Sequence, residues 1–307
     1  MLDPGTWPDD ETLVFAVPSS DGALVAYGVA VGSTHNAAIR IRDVATGRDL
    51  PDRPRGANHA SVAWLPDGSG FLYVATPDPS EAPPGEQEYW EAIYEHRIGS
   101  SEPARRVFGS DDVKEYWCSV ETSECGRFAV LYLWDFVHAN TVHLLRLADG
   151  AIIPVAPAMR SLNRVQVIDD LLLIHTDALA PRGRVCVAPL DAPQDWRTLI
   201  DEGSDILQSV TGIGGRLYAV HSVGAAHHVR VYDTAGQLLR EIALPALGSV
   251  NSNFGDGTVS GVRGSWTGRD VWLNFESFVQ PPSVYRYDYP ADELRPYCVP
   301  DVGLGRS

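Results

Sequence analysis

The chain has 307 residues, is 44% hydrophobic and carries a formal net charge of −16. So acidic a surface repels the phosphates of DNA and RNA, which removes nucleic acid from the candidate partners. No run reaches the ~18 consecutive apolar residues of a membrane span. Met1-Leu2-Asp3-Pro4-Gly5 lacks the basic and apolar regions of a secretory signal, so a cytoplasmic chain free of membrane is expected.

From the N-terminus onward one short pattern recurs: a turn ending in Gly, an apolar strand, then a second strand running into another turn. Leu13 to Val17 reads as the strand that opens the first unit, before the turn Asp21-Gly22 and the strand Ala23 to Tyr27. Ala38 to Val44 alternates with period two and closes on Ala45-Thr46-Gly47-Arg48. The next copies begin at Asp67-Gly68 (Phe71 to Val74) and Cys125-Gly126 (Phe128 to Leu133), with Val142 to Leu147 entering Ala148-Asp149-Gly150. Further copies follow at Asp169-Asp170 (Leu171 to Ile174), Gly214-Gly215 (Leu217 to Val220) and Thr267-Gly268 (Val271 to Phe275). Val229 to Asp233 before Thr234-Ala235-Gly236-Gln237, and Val284 to Asp288, repeat the strand-into-turn device. Asp suits these ends because its carboxylate accepts from amides two residues on, and Gly accepts positive φ.

A period near 40–50 residues with several short strands per unit predicts an all-β fold. The expected architecture is a β-propeller of four-stranded antiparallel blades, six of them recognisable here. Trp64, Tyr73, Phe128, Tyr132, Trp272 and Phe275 are the aromatics expected between blades. Short helices are predicted only at Gly85 to Trp90 and Ala192 to Trp196. No Gly- or Ser-rich linker divides the chain, so one domain is expected, with 1–299 as propeller and 300–307 as an unstructured tail.

Little in the chain has the spacing of a chemical site. Cys118, Cys125, Cys186 and Cys298 form no CxxC pair, so a zinc site is not expected and the thiols read as buried or incidental. His227-His228 reads as a solvated hairpin turn, and Asp111-Asp112 and Asp169-Asp170 as caps at strand junctions. No phosphate loop or dinucleotide fingerprint is present, and no cofactor is expected. A hydrolase nucleophile needs a strained Gly-x-Ser-x-Gly elbow. No Ser here has Gly at both −2 and +2, and the nearest approach, Asp67-Gly68-Ser69-Gly70, sits at a blade turn.

Several longer phrases fall in a fixed order. They are Leu2-Asp3-Pro4; Ser20-Asp21-Gly22 with Ala26-Tyr27-Gly28; and Ala63-Trp64-Leu65-Pro66-Asp67-Gly68-Ser69-Gly70-Phe71-Leu72-Tyr73. Tyr94-Glu95-His96-Arg97-Ile98-Gly99, Ala180-Pro181-Arg182-Gly183-Arg184 and Asp195-Trp196-Arg197-Thr198-Leu199-Ile200 come next. Leu244-Pro245 with Gly248-Ser249-Val250, then Phe275-Glu276-Ser277-Phe278-Val279-Gln280-Pro281-Pro282-Ser283-Val284-Tyr285, complete the set. In these phrases the chain resembles the propeller domain of the prolyl oligopeptidases, a family of serine peptidases, over nearly its whole length.

The resemblance implies a propeller that covers the active site of an α/β-hydrolase and admits only short peptides, which are cut after proline. In that family the propeller has seven blades, with a helical segment and a first blade before the Leu-Asp-Pro phrase; here Met1 stands immediately before it. The catalytic domain of the family would begin just after Tyr297. The expectation is therefore a truncated or split enzyme, short of one blade and of the hydrolase and inert by itself. The alternative is a stand-alone module binding a peptide or protein. A lost blade is expected either to contract the ring or to bare Leu24, Ala26 and Tyr27 at one end and Val271, Leu273 and Phe275 at the other. A separate α/β-hydrolase fragment or a second copy would cover such faces. The resemblance also carries substrate-facing positions to Leu72 and to Trp134, Phe136 and Val137. The family's charged and Cys positions are replaced at that loop, and its spacing to Asn140 is one residue short. Packing between blades is the other reading of these side chains.

Overall fold

In the computed structural model the described residues are 2–32, 37–54, 62–78, 80–135, 139–250 and 261–300. Phe136 and Val137 lie outside them, as does the predicted tail beyond Pro300. The chain divides into two compact units, Met1–Arg160 and Ser161–Ser307, although no linker composition announces the boundary. Each unit holds three small antiparallel sheets, the blades of a β-propeller.

Blade 1 is formed by β1 (Glu11–Pro18), β2 (Leu24–Val31) and β3 (Ala38–Asp43); blade 2 by β4 (Val62–Trp64), β5 (Gly70–Ala75), β6 (Ala92–Arg97) and β7 (Arg105–Gly109). Blade 3 is β8 (Trp117–Thr122), β9 (Phe128–Asp135), β10 (Ala139–Arg146) and β11 (Ile152–Ala156). In the second unit, blade 4 is β12 (Asn163–Ile168), β13 (Leu171–Thr176), β14 (Arg184–Pro189) and β15 (Arg197–Ile200). Blade 5 is β16 (Ile206–Ile213), β17 (Arg216–Val223), β18 (Ala226–Tyr232) and β19 (Leu238–Ile242). Blade 6 is β20 (Ser249–Val250), β21 (Val262–Arg263), β22 (Val271–Ser277), β23 (Gln280–Asp288) and β24 (Glu293–Cys298).

Two blades depart from the expected four strands. In blade 1 the fourth strand shrinks to one bridge, Arg42 to Asp49, because Pro51 and Pro54 cannot donate to a ladder. In blade 6, β20 and β21 both pair with β22, so the first strand comes in two pieces.

The repeated turns are the same local structure. The amide of Gly22 donates to the Ser19 carbonyl, that of Gly68 to Leu65 and that of Gly126 to Ser123, at 2.9, 3.0 and 2.9 Å. Gly68 and Gly126 stand at φ +67° and +68°, a conformation that costs other residues roughly 1 kcal/mol. Asp caps the turns as expected: Asp43 accepts from Thr46 N at 2.7 Å and Asp233 from Gln237 N at 2.8 Å.

The predicted helices are absent, and the one helix among the described residues is a 3-10 turn at Pro4–Thr6. Gly85 and Trp90 both take positive φ, which breaks a helix over that segment, and Ala192 to Trp196 makes only isolated turn hydrogen bonds around Pro193. Among the described residues no helix is long and apolar enough to cross a membrane.

The core lies in the seams between adjacent blades, and the central strands are buried on both faces, which is why they read as unbroken apolar runs. In β5, Phe71 and Tyr73 pack back against Ala26, Ile39 and Ile41 of blade 1, whereas Leu72 and Val74 pack forward against Cys118, Val120 and Leu131 of blade 3. Blade 5 repeats this: Leu217 and Ala219 meet Leu173 and Val185 of blade 4, while Tyr218 and Val220 meet Leu273, Phe275 and Tyr287 of blade 6. Trp64, Tyr73, Phe128, Tyr132 and Phe275 are buried. Trp272 is half-buried, edge-on to Tyr297 with centroids 4.7 Å apart.

Five of the six residues expected on bared end faces prove to be seam residues. Ala26 and Leu24 belong to the packing against blade 2, and Val271, Leu273 and Phe275 to the packing against blade 5. Tyr27 points the other way, yet is fully buried under Trp7 and the Arg42 guanidinium, with its hydroxyl donating to Asp49 at 2.8 Å. Strand alternation decides this: the opposite face of β22 carries Trp272, Asn274 and Glu276 rather than its aliphatic set.

Candidate functional site

Of the positions carried over by resemblance, Leu72 and Trp134 are described. Leu72 is 1% exposed and sits wholly in the seam between blades 2 and 3. Trp134 stacks on Tyr132 at 5.5 Å, and its indole N–H donates to Ser119 Oγ at 2.9 Å. By register, Trp134 faces away from blade 2, because it pairs with Trp117 while the neighbouring Cys118 faces the seam. The structure therefore does not bring Leu72 and Trp134 to one surface. Both are packing residues here.

The seam that buries Leu72 ends in a group the sequence reading did not single out. Glu91 precedes β6 in phase with Ile93, so its side chain enters the seam, and the residue is 4% exposed. Its Oε2 accepts from the Cys118 amide at 3.1 Å, and Cys118 Sγ donates back to the Glu91 carbonyl at 3.4 Å. Burial pushes the carboxyl up to about 7, with the Cys118 amide opposing. The same burial, with Glu91 beside it, raises the Cys118 thiol and keeps it protonated, so Cys118 is no nucleophile. Trp90 fixes the approach: it adopts φ 63°, its amide donates to the Lys114 carbonyl, and its indole donates to Glu86 at 2.8 Å. Glu86 in turn holds Lys114 Nζ at 2.7 Å. Period-two counting back from Ile93 was the available signal for Glu91.

A proton held near neutrality has a measurable consequence. A carboxyl raised in the folded state contributes stability that is complete below its unfolded value, near 4.5, and is lost as pH rises through about 7. At about 1.4 kcal/mol per pKa unit this is roughly 3 kcal/mol. Glu91→Gln keeps an acceptor for the Cys118 amide without the titration. Urea unfolding of the first unit at pH 5 and pH 8 should show a loss in the parent chain and a flat response in the variant. An equal slope in both would reject this assignment.

Two other buried polar groups join blades. His96 Nε2 donates to Asp52 Oδ1 at 2.9 Å and the Gly99 amide adds 2.7 Å, a clamp from the blade 1–2 connection onto β6. Burial of Asp52 is outweighed by these bonds, which lower its pKa. Between blades 4 and 5, His175 of β13 and His221 of β17 face the same seam as Leu173 and Ala219. Burial pushes both rings down to about 4. The His pair predicted in a turn lies instead in β18, where His227 Nδ1 accepts from the Val250 amide at 3.0 Å and His228 pairs with Glu241 at 2.7 Å. The hairpin tip is Gly224 and Ala225, one step earlier. Asp169 and Asp170 form the β12–β13 turn and Asp111 pairs with Arg106, as turn and surface roles require. Among the described residues no three His, Cys, Asp or Glu side chains converge to hold a metal ion.

Six antiparallel blades with cores in the seams between neighbours define the class: this is a β-propeller. Residues 1–300 match the family model described as the prolyl oligopeptidase N-terminal β-propeller domain, and the chain belongs to that family. It is 26% identical to the prolyl endopeptidase of Elizabethkingia miricola, over 98% of this chain and 42% of that protein. It is 24% identical to the prolyl oligopeptidase ophP of Omphalotus olearius, over 94% and 41%. The chain thus spans about 42% of the first of these curated relatives. Among solved structures, one from a study of two prolyl endopeptidases superposes with a TM-score of 0.89 at 23% identity, over 99% of this chain and 44% of the other. Prolyl oligopeptidase B from Galerina marginata, bound to a 25mer macrocyclization substrate, superposes at 0.83 with 20% identity, over 97% and 44%. At those identities the superpositions speak for the fold.

Proposed function

We propose that this chain is the non-catalytic, substrate-gating propeller of a prolyl oligopeptidase-like serine endopeptidase, and that hydrolysis after proline is performed by an α/β-hydrolase outside residues 1–300. The observation that carries this reading is the family match across residues 1–300, the same residues that the six blades occupy. The greater length of the curated relatives supports it, since most of each lies beyond the part matched here. So does the chemistry of the described groups: Cys118 is held protonated by burial, and His96 is spent on a clamp between blades. In this reading the ligands are short peptides, the partner is the hydrolase, and the compartment is the cytoplasm, in keeping with four free cysteines.

The purified chain should not hydrolyse a proline-containing chromogenic peptide, because the sequence holds no Gly-x-Ser-x-Gly elbow. Co-expression with the hydrolase fragment of a prolyl oligopeptidase should restore turnover to the mixture. Turnover by the isolated chain that survives repurification and is blocked by a serine-directed phosphonate would overturn the proposal.

A further inference from the structure

Repeats stacked in an array interact with their immediate neighbours, so one seam is ordinarily independent of the next but one. Residues 161–307 depart from that pattern at one rim, the end marked by the β12–β13, β16–β17 and β21–β22 turns. There the loop joining β21 to β22 leaves blade 6, passes the end of β16 in blade 5 and reaches blade 4. The Trp266 indole N–H donates to Asp169 Oδ2 at 2.9 Å, a hydrogen bond between residues 97 apart in the chain.

The path is shaped for this loop. A Cβ on Gly212 would stand 2.5 Å from Ile168 Cδ1 and 3.1 Å from the Trp266 ring, so only glycine leaves the indole room. With that room Trp266 packs against the core of the blade 4–5 seam. β16 is the inner edge of its sheet, and the backbone groups it turns away from β17 need partners. Blade 4 supplies one pair: Gln166 Nε2 donates to the Gly212 carbonyl at 3.0 Å, and Gln166 Oε1 accepts from the Gly212 amide at 2.7 Å. Blade 6 supplies the next, because the Gly214 amide donates to the Ser265 carbonyl at 3.1 Å. The loop is closed on itself by the Gly268 amide, which donates to the same carbonyl at 3.1 Å. Asp169 stands at φ 51°, a left-handed backbone that Gly, Asn and Asp accept more readily than other residues.

We infer that the β21–β22 loop is a clasp: Trp266 fastens blade 6 to blade 4 across blade 5, so that the three blades open as one cooperative body and not seam by seam. The consequence is an energetic coupling between blades that are not adjacent. Loosening the loop of blade 6 loosens β12 and β13 of blade 4. Coupling is reciprocal, so removing the acceptor in blade 4 loosens the loop.

Hydrogen exchange of the full chain, read on peptides from each blade by mass spectrometry, tests the clasp. Trp266→Phe keeps an aromatic ring over Gly212 and loses the indole donor. It should speed exchange in β12 and β13 roughly fivefold, the worth of one hydrogen bond. Unchanged exchange in β5 of blade 2 reports that the variant is folded. Asp169→Gly removes the acceptor while suiting the left-handed backbone, and should speed exchange in the same two strands and in residues 264–268. Asp169→Asn keeps both an acceptor and the backbone preference, and should exchange like the parent chain. Adding Trp266→Phe to Asp169→Gly should change β12 and β13 no further, since the two substitutions break one bond. Faster exchange in Trp266→Phe confined to residues 264–268, or single effects that add in full, would overturn the clasp. So would an Asp169→Asn chain that exchanges like Asp169→Gly.

Discussion

Acidification from pH 7 to pH 4 is expected to destabilise the unit of residues 161–307 by several kcal/mol. His175 and His221 meet in the blade 4–5 seam, and both are driven down to about 4 from an ordinary value near 6.5. His175 is hydrogen-bonded to the Leu207 backbone, with the Arg164 guanidinium and His221 as its charged neighbours. Around His221 stand Arg230, Asp205, Glu241 and His228, with the Tyr232 hydroxyl 3.4 Å from Nε2. Ser209 Oγ and His221 Nδ1 are buried there without a hydrogen-bond partner among the described residues, and burial outweighs the opposing pull of Asp205 and Glu241 on the His221 ring. A His depressed in the folded state contributes stability that is complete above the unfolded value, near 6.5, and is lost as pH falls toward 4. At about 1.4 kcal/mol per pKa unit, His175 alone accounts for roughly 3 kcal/mol. His221 adds less, its ring being nearer solvent. Asp205 and Glu241 are themselves depressed, so their contribution disappears only at still lower pH. Hydrogen exchange of the β13 and β17 amides, followed by mass spectrometry from pH 7 to pH 4, should show protection falling with a midpoint between the two values. His175→Gln combined with His221→Gln should flatten that profile. An unchanged profile in the double variant would place the acid sensitivity elsewhere.

Phe71→Ala should cost about 3–5 kcal/mol, the range for deleting a buried Phe. Phe71 is fully buried at the centre of β5 and packs edge-on to Trp64 and Tyr73, at 5.2 and 5.7 Å, and against the His96 ring at 5.4 Å. It also serves the seam with blade 1, through Ala26, Ile39 and Ile41. The strand cannot close the void by shifting, because Gly70 beside it already lies so close to the His96 carbonyl that an added Cβ would stand 2.1 Å away. Denaturant unfolding read by tryptophan fluorescence should give a midpoint shift with unchanged slope. Leu72→Ala, facing the opposite seam, should cost about 2–5 kcal/mol. A Leu72 substitution that left stability untouched while altering peptide binding would restore the ligand-facing reading of that position.

The two units are expected to respond to pH in opposite senses, through Glu91 in one and His175 with His221 in the other, and the reason separates what each level of structure contributes. Turns and strands were legible in the sequence because their causes are local. Gly68 and Gly126 are needed for a positive φ, Asp43 and Asp233 for amides a few residues on, and Phe71 to Val74 is an apolar run because a central strand is buried on both faces. The period of these signals sufficed for six blades, and the ordered phrases sufficed for the family. Local rules also misjudged two short segments as helices, where φ at Gly85 and Trp90 and the ring of Pro193 prevail. The faces were a different matter. Whether Leu72 meets a ligand or Val120, whether Leu273 is bare or set against Val220, and whether Glu91 keeps its proton all depend on the neighbouring blade, some tens of residues away in the chain. The meeting of His175 with His221 and the reach of Trp266 to Asp169 have the same origin. The repeat by itself determined that seams exist and which residues alternate into them. Only the stacking of one blade on the next decided what each side chain meets there, because burial and charge are properties of the assembled seam and not of either strand alone.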